Sequence, residues 1–141
     1  MTRHPLHPLI VGAALATALT MLATAAVAQT WEYKSYKKDG KGGTYNKDRF
    51  TVGTISVEEK DGKASFRMVA GGVDACLRGA VPAVVTRTAE TTLIELQQTM
   101  AGCDEIRYLI RNDGSGGERE VKRGDRWAKD GFDHGLTPAK P

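Results

Sequence analysis

The sequence has 141 residues, with 20 basic and 17 acidic side chains, nine aromatic residues and two cysteines. This length allows one domain and excludes a doubly wound dinucleotide fold or an (α/β)₈ barrel, which both need longer chains. The formal net charge of +3 is spread over mixed signs without a clustered basic face, so we do not expect nucleic-acid binding.

Residues 1–28 have the features of a cleaved signal peptide. Arg3 supplies a positive start, residues 9–27 carry no charged side chain, and Ala26-Val27-Ala28 is a small-x-small cleavage motif. An uncleaved membrane anchor is the alternative, because the uncharged run is about long enough to span a bilayer. The Ala- and Thr-rich composition and the cleavage motif favour cleavage before Gln29. We therefore expect a periplasmic or secreted protein with no permanent membrane span.

Cleavage leaves a single β-domain, residues 29–141, of 113 residues with a net charge of +2. Cys76 and Cys103 are the only cysteines, and an even count in an oxidising compartment predicts a disulfide. Their wide spacing and the absence of a neighbouring His do not fit a zinc site. We predict no cofactor and no metal site.

The mature chain has the pattern of short strands separated by turns, and no segment has the periodicity of an amphipathic helix. An aromatic strand runs from Trp31 to Tyr36. The clearest hairpin runs from about Arg49 to Ala70 around Asp61-Gly62, a dipeptide typical of type I′ turns. Pairing Lys60 with Lys63 makes one face of this hairpin apolar throughout, which predicts the pairs Val57–Phe66, Ile55–Met68 and Gly53–Ala70.

Two more hairpins follow along the chain. One runs from about 83 to 96 and turns near Ala89-Glu90, with Val85 opposite Ile94 and Thr86 opposite Leu93. The other runs from about 105 to 127 around a loop at 112–117. We expect Tyr108 to face Val121 and Arg111 to face Glu118 across this third hairpin.

These patterns predict an all-β fold of about seven short antiparallel strands, stapled by one disulfide. A small β-barrel and a β-sandwich both agree with them. The C-terminal segment from about Asp130 is expected to be an irregular tail.

Two loops, 39–43 and 113–117, share the pattern Asp-Gly-x-Gly-Gly. Successive glycines can present backbone N–H groups to an anion, but neither loop matches a P-loop or an EF-hand, so hairpin turns are the favoured interpretation. His134 is the only histidine after residue 28. Because it lies near the C-terminus among Gly and Pro, we expect it at the surface without a catalytic role.

The third hairpin is rich in basic residues and ends at a tryptophan. A partner-binding surface for an envelope protein or a glycan would use Arg107, Arg111, Arg119, Arg123, Arg126 and Trp127. Acidic residues interleave these arginines, and cross-strand ion pairing explains the same pattern.

The favoured function is therefore that of an exported non-enzymatic binding protein of the bacterial cell envelope. One concrete form is an inhibitor or adaptor of an envelope hydrolase, which rests on analogy with other small exported β proteins. The alternatives are a small periplasmic hydrolase that uses dispersed carboxylates, such as Glu58-Glu59 or Asp104-Glu105, and a structural envelope component without a discrete site.

Overall fold

The computed structural model describes residues 26–38, 45–130 and 133–140. Nine strands and one 3-10 helix, Ala75–Leu77, are found there. The strands are β1 (Val27–Lys38), β2 (Tyr45–Lys60), β3 (Lys63–Ala70), β4 (Ala80–Arg87), β5 (Thr91–Leu96), β6 (Ile106–Arg111), β7 (Gly117–Arg123), β8 (Arg126–Lys129) and β9 (Asp133–Pro138). The predicted all-β class is confirmed.

All nine strands belong to one antiparallel sheet in the order β8-β7-β6-β5-β4-β3-β2-β1-β9. Strands β1 to β8 therefore form a meander, and β9 returns to pair with the first strand. Hydrogen-bonded pairing among the described strands ends at β8 on one side and at β9 on the other, so the sheet is not closed. It curls far enough that β7 and β9 are in contact.

One face of the curled sheet forms the core. Alternate residues are buried along β5 and β6, as expected for strands with one face turned inward. The rings of Phe66 and Tyr108 stack with their centroids 5.2 Å apart across this interior. The largest fully buried side chains are Trp31, Tyr108, Phe66, Ile55, Ile94, Ile110, Leu136, Val57 and Thr92.

The first two predicted hairpins are confirmed in register. Lys60 pairs with Lys63, and the three predicted pairs of the first hairpin follow from it. Asp61 and Gly62 both have positive φ, 52° and 73°, as a type I′ turn requires. In the second hairpin Val85 pairs with Ile94 and Thr86 with Leu93.

The predicted register of the third hairpin is wrong by two residues. Tyr108 pairs with Arg119 and Leu109 pairs with Glu118. A slip of two residues leaves every side chain on its expected face, so the apolar pattern does not distinguish the two registers. The loop decides between them, because the N–H of Arg111 bonds to the carbonyl of Gly116 at 2.9 Å and keeps the turn short.

The expectations of seven strands and of an irregular tail from Asp130 are also wrong. Two further strands, β8 and β9, lie in the last 16 residues of the chain. Strand β9 pairs with β1 over six residue pairs, from Trp31↔Pro138 to Tyr36↔Asp133. The free edge of β1 supplies the hydrogen bonds that order this segment.

The predicted disulfide is confirmed, and Cys76 and Cys103 are bonded to each other. Most of the predicted leader lies outside the described residues, and Val27 and Ala28 pair with β2. Within the part of the chain that the structure describes, no helix is long and apolar enough to cross a membrane.

Candidate functional site

The predicted arginine surface is divided between several places on the sheet. Arg107 lies on the outer face, where its Nε is 2.5 Å from Oε2 of Glu120. Its guanidinium group stacks over the ring of Trp127, 4.4 Å from the centroid. Arg111 is exposed at the loop and donates from Nε to the hydroxyl of Ser115 at 2.8 Å.

The remaining outer-face basic residues are interleaved with carboxylates. Arg123 bonds to Asp104 at 3.0 Å, and Lys122 bonds to both carboxylate oxygens of Glu105. The predicted pair of Arg111 with Glu118 does not form, because the register brings Lys129 to Glu118 at 3.2 Å instead. Arg126 is exposed opposite Arg123.

Arg119 lies on the other face of the sheet, in the interior. It is opposite the buried Tyr108, and side chains at opposed positions of an antiparallel pair share a face. Its Nη1 is 2.6 Å from Oδ2 of Asp130, which follows directly after β8. The backbone N–H of Asp130 also bonds to the carbonyl of Arg119 at 3.0 Å, so two bonds hold these residues together.

His134 is buried, and the expectation of a surface histidine is wrong. Because β9 pairs with β1, His134 faces inward beside Ser35 and its Nδ1 lies 3.0 Å from the hydroxyl of Tyr33. Its Nε2 lies 3.5 Å from Oδ2 of Asp130. Since Nε2 faces a carboxylate, we assign the ring proton to Nε2, and the O–H of Tyr33 then donates to Nδ1.

Tyr33, His134, Asp130 and Arg119 thus lie next to one another inside an apolar sheet, and we call them the interior polar chain. Hydrogen bonds join Tyr33 to His134 and Arg119 to Asp130, while His134 and Asp130 are 3.5 Å apart. Burial raises the pKa of Tyr33, although a hydrogen bond from Ser35 and the charge of Arg119 act in the opposite direction. Burial also raises the pKa of Tyr108. Both phenols therefore keep their protons, and that of Tyr33 is available for the bond to His134.

A cavity of about 180 Å³ opens beside this chain, and we call it the end cavity. Tyr33, Ser35, Thr51 and Arg119 contribute polar groups from the sheet. The other wall is the segment between β3 and β4, with Gly71, Gly72, Asp74 and Leu77.

The wall formed by the β3–β4 segment is fixed in place. The disulfide joins Cys76 to Cys103. The side chain of Gln98 donates to the carbonyl of Cys76 at 3.2 Å. Asp74 accepts a bond from the N–H of Cys76 at 2.9 Å and so caps the short 3-10 helix. The end cavity is thus bounded by the sheet on one side and by a stapled loop on the other.

Three buried polar atoms of the interior have no hydrogen-bond partner among the described residues: the hydroxyl of Tyr108, Nε of Arg119 and Nε2 of His134. Most buried polar groups in native proteins are paired, so each such atom calls for an explanation. An arginine Nε can only donate. Nε of Arg119 is itself buried, so among the described residues it is an unpaired donor inside the protein, whereas Arg119 reaches the end cavity with other atoms.

Two cavities larger than the end cavity lie at hairpin turns. One, of about 540 Å³, is lined by residues 89–91 and 111–113. The other, of about 390 Å³, is lined by residues 62–65, 80, 82 and 83. Neither contains a buried titratable side chain, so volume alone does not mark a site and the end cavity is the better candidate.

The loop at 113–117 is a hairpin turn, as predicted. Gly114 and Gly116 have positive φ, and Oδ1 of Asp113 accepts a bond from the N–H of Ser115 at 2.8 Å. Hydrogen bonds from Ser115 lower the pKa of the Asp113 carboxyl. The similar loop at 39–43 lies outside the described residues. Among the described residues no group of three His, Cys, Asp or Glu could hold a metal ion.

Sequence reasoning missed the interior polar chain. The alternation of His134 and Leu136 over two residues was a weak strand signal that could have placed His134 on an inward face. Asp130 gave no such signal. No family model, curated protein or solved structure matches the chain.

Proposed function

We propose that this protein is an exported, non-enzymatic binding protein of the bacterial cell envelope, and that its ligand site is the end cavity. The observation that carries the proposal is that two charged side chains, Arg119 on the sheet and Asp74 on the β3–β4 segment, line the same open cavity. A core built only for stability would not need an arginine on its inner face, because taking a charged side chain out of water costs stability even when it is paired. A polar ligand in the cavity would interact with both side chains.

Export is supported by the leader-like residues 1–28 and by the disulfide, which is typical of oxidising compartments. Cleavage before Gln29 would remove only the first two residue pairs between β1 and β2. N-terminal sequencing of protein recovered from the periplasm or the medium should therefore begin at Gln29. Recovery of the full chain in the membrane fraction would contradict this part of the proposal.

A barrel is the architecture that we infer for the curled sheet. The contact between β7 and β9 supports a barrel over a sandwich. Strand β9 is one edge of the sheet and β7 is next to the other edge, β8, so the contact brings the two edges close together as a barrel requires. An interior bounded in this way, with one end covered by the stapled segment, suits a small ligand.

Binding is favoured over hydrolysis because three of the four carboxylates suggested by the sequence are engaged in ion pairs. Asp104 pairs with Arg123, Glu105 with Lys122, and Glu59 with Arg87. Asp130 inside the sheet is held by Arg119. A small periplasmic hydrolase stays the alternative, and turnover of a model ester or glycan by the mature protein would favour it.

The inhibitor or adaptor form of the proposal would use the outer face around Arg107 and Trp127. Their stacking presents a half-buried indole beside a charged group, a combination found at binding hot spots. Trp127→Ala should then abolish capture of a single envelope protein in a pull-down with the mature protein. Capture that is unchanged in Trp127→Ala would remove this face from the proposal.

A larger side chain that occupies the end cavity tests whether the ligand binds there. Thr51 lines the cavity, whereas Thr54 on the same strand is exposed on the outer face. We expect components of an envelope extract or of a small-metabolite panel to raise the melting temperature of the wild-type protein and of Thr54→Leu. They should leave that of Thr51→Leu unchanged. Equal shifts for both variants would place the ligand elsewhere, and no shift for any protein would overturn the proposal.

A further inference from the structure

We infer that the ligand of the end cavity is a compact zwitterion, namely a free α-amino acid with a small side chain. Its carboxylate would bind Arg119 on the inner wall and its ammonium group would bind Asp74 on the opposite wall. This inference rests on the proposed function, because it uses the same cavity. Four observations, on the donors, the acceptor, the charges and the volume, carry it.

The inner wall provides donors. Arg119 lines this wall, and its side chain is 17% exposed. Thr51 lines the same wall. Because Nη1 of Arg119 is held by Asp130, the guanidinium group has a fixed orientation before any ligand arrives. A carboxylate oxygen is the acceptor that best matches an arginine N–H.

The opposite wall provides an acceptor. Asp74 is exposed, and its Oδ1 accepts one bond from the N–H of Cys76. A carboxylate has about four lone-pair sites, so this cap leaves capacity for an ammonium group. The cap also fixes the position of the Asp74 carboxylate, because the disulfide anchors Cys76, whose N–H donates this bond.

The charges exclude simpler ligands. Four groups face the cavity or the interior polar chain: Arg119, Asp130, His134 and Asp74. Asp130 balances Arg119, and Asp74 adds a further negative charge on the opposite wall. A simple anion would be repelled by Asp74, and a simple cation would be repelled by Arg119. A zwitterion satisfies both walls and adds no net charge.

The volume limits the ligand further. About 180 Å³ is below the roughly 300–1,000 Å³ of cavities that hold drug-sized molecules. Gly71 and Gly72 on the outer wall add no side-chain bulk. A free amino acid with a small side chain places its two charged groups close together, as a cavity of this size requires.

Isothermal titration calorimetry of the mature protein tests the inference with four probes: glycine, L-alanine, acetate and methylammonium. Glycine and L-alanine should bind at least about tenfold more tightly than acetate or methylammonium, because each of these lacks one charged group. Asp74→Asn should weaken glycine binding about tenfold and leave acetate binding unchanged or stronger. Asn retains the capping oxygen, so this variant is expected to fold.

Arg119→Gln is the second variant and Arg107→Gln is its matched control. Both arginines hold a carboxylate, Asp130 and Glu120 respectively, but only Arg119 lines the end cavity. Glycine binding should be lost in Arg119→Gln and unchanged in Arg107→Gln. If Arg119→Gln does not fold, Asp74→Asn alone decides.

The inference is overturned if glycine binds no better than acetate and methylammonium, or if Asp74→Asn binds glycine like the wild type. Suppose that a neutral molecule binds instead and Thr51→Leu abolishes its binding. The ligand class would then be wrong while the proposed function stands. If no probe and no extract component binds, both the inference and the proposed function fail.

Discussion

The hydroxyl of Tyr33 lies 3.0 Å from Nδ1 of His134, although 101 residues separate them in the chain. Tyr33 is in β1 and His134 in β9, so this bond joins the first and last strands inside the sheet. The two rings are also in contact, with their centroids 5.5 Å apart. The bond connects the wall of the end cavity to Asp130 and Arg119.

Removing this bond should destabilise the protein. Tyr33→Phe leaves Nδ1 of a buried His134 without its donor, and an unsatisfied buried acceptor costs about 1–3 kcal/mol. We expect the free energy of unfolding in urea to fall by about that amount. Tyr36→Phe is the control, since Tyr36 lies on the outer face against Phe50 and should change stability by less than about 0.5 kcal/mol. Equal losses in both variants would contradict the role of the buried bond.

Alkaline pH should destabilise the fold through Tyr108. Burial raises its pKa above the ordinary value of 10.0, so the folded state keeps the proton that the unfolded chain loses. This contribution to stability is complete below pH 10.0 and is lost as pH rises toward the folded pKa. The slope due to one such group approaches about 1.4 kcal/mol per pH unit.

Tyr108→Phe tests this, because the Tyr108 hydroxyl has no partner among the described residues. We expect the variant to have nearly wild-type stability at neutral pH, since no hydrogen bond is lost. Its urea unfolding free energy should decline less steeply above pH 10.0 than that of the wild type. Parallel declines in both proteins would show that Tyr108 ionises freely in the folded state.

Gly117 should not tolerate a side chain. A Cβ at this position would lie 2.7 Å from the carbonyl oxygen of Leu109 and 2.9 Å from Cδ1 of Leu136 in β9. Gly117→Ala should therefore cost about 1–3 kcal/mol and should increase amide hydrogen exchange in β9. In Gly71→Ala the nearest atom to the new Cβ is 4.0 Å away, so stability should be almost unchanged. A stable Gly117→Ala protein would mean that β7 and β9 do not pack together in solution.

Replacing both disulfide cysteines should weaken the fold and the end cavity together. Cys76 and Cys103 are separated by 27 residues, and the chain-entropy model gives about 3–4 kcal/mol for such a loop. We expect Cys76→Ala/Cys103→Ala to lose about that much unfolding free energy and to lose ligand-induced stabilisation, because the Asp74 wall is no longer anchored. A double variant with wild-type ligand response would show that the wall is held by other contacts.

Local chemistry determined the first two hairpins. Asp61-Gly62 prefers a backbone that few other dipeptides adopt, and the apolar alternation then allows one pairing that separates core from solvent. The third hairpin lacked this constraint, because a slip of two residues between Tyr108 and its partner preserves both faces. Its register depended on hydrogen bonds within a glycine-rich loop, which composition does not specify.

The sequence by itself therefore determined the strand-rich class, the cysteine pair and the two hairpins whose contacts are close in the chain. Only the tertiary structure decided that β9 completes the sheet beside β1, that Arg119 points inward and that His134 is buried. The physical reason is that these positions depend on pairing between residues about 100 apart and on a free strand edge created by the rest of the sheet. The local pattern of Gly, His and Pro at the C-terminus does not reveal that the free edge of β1 will pair with it and order it as a strand.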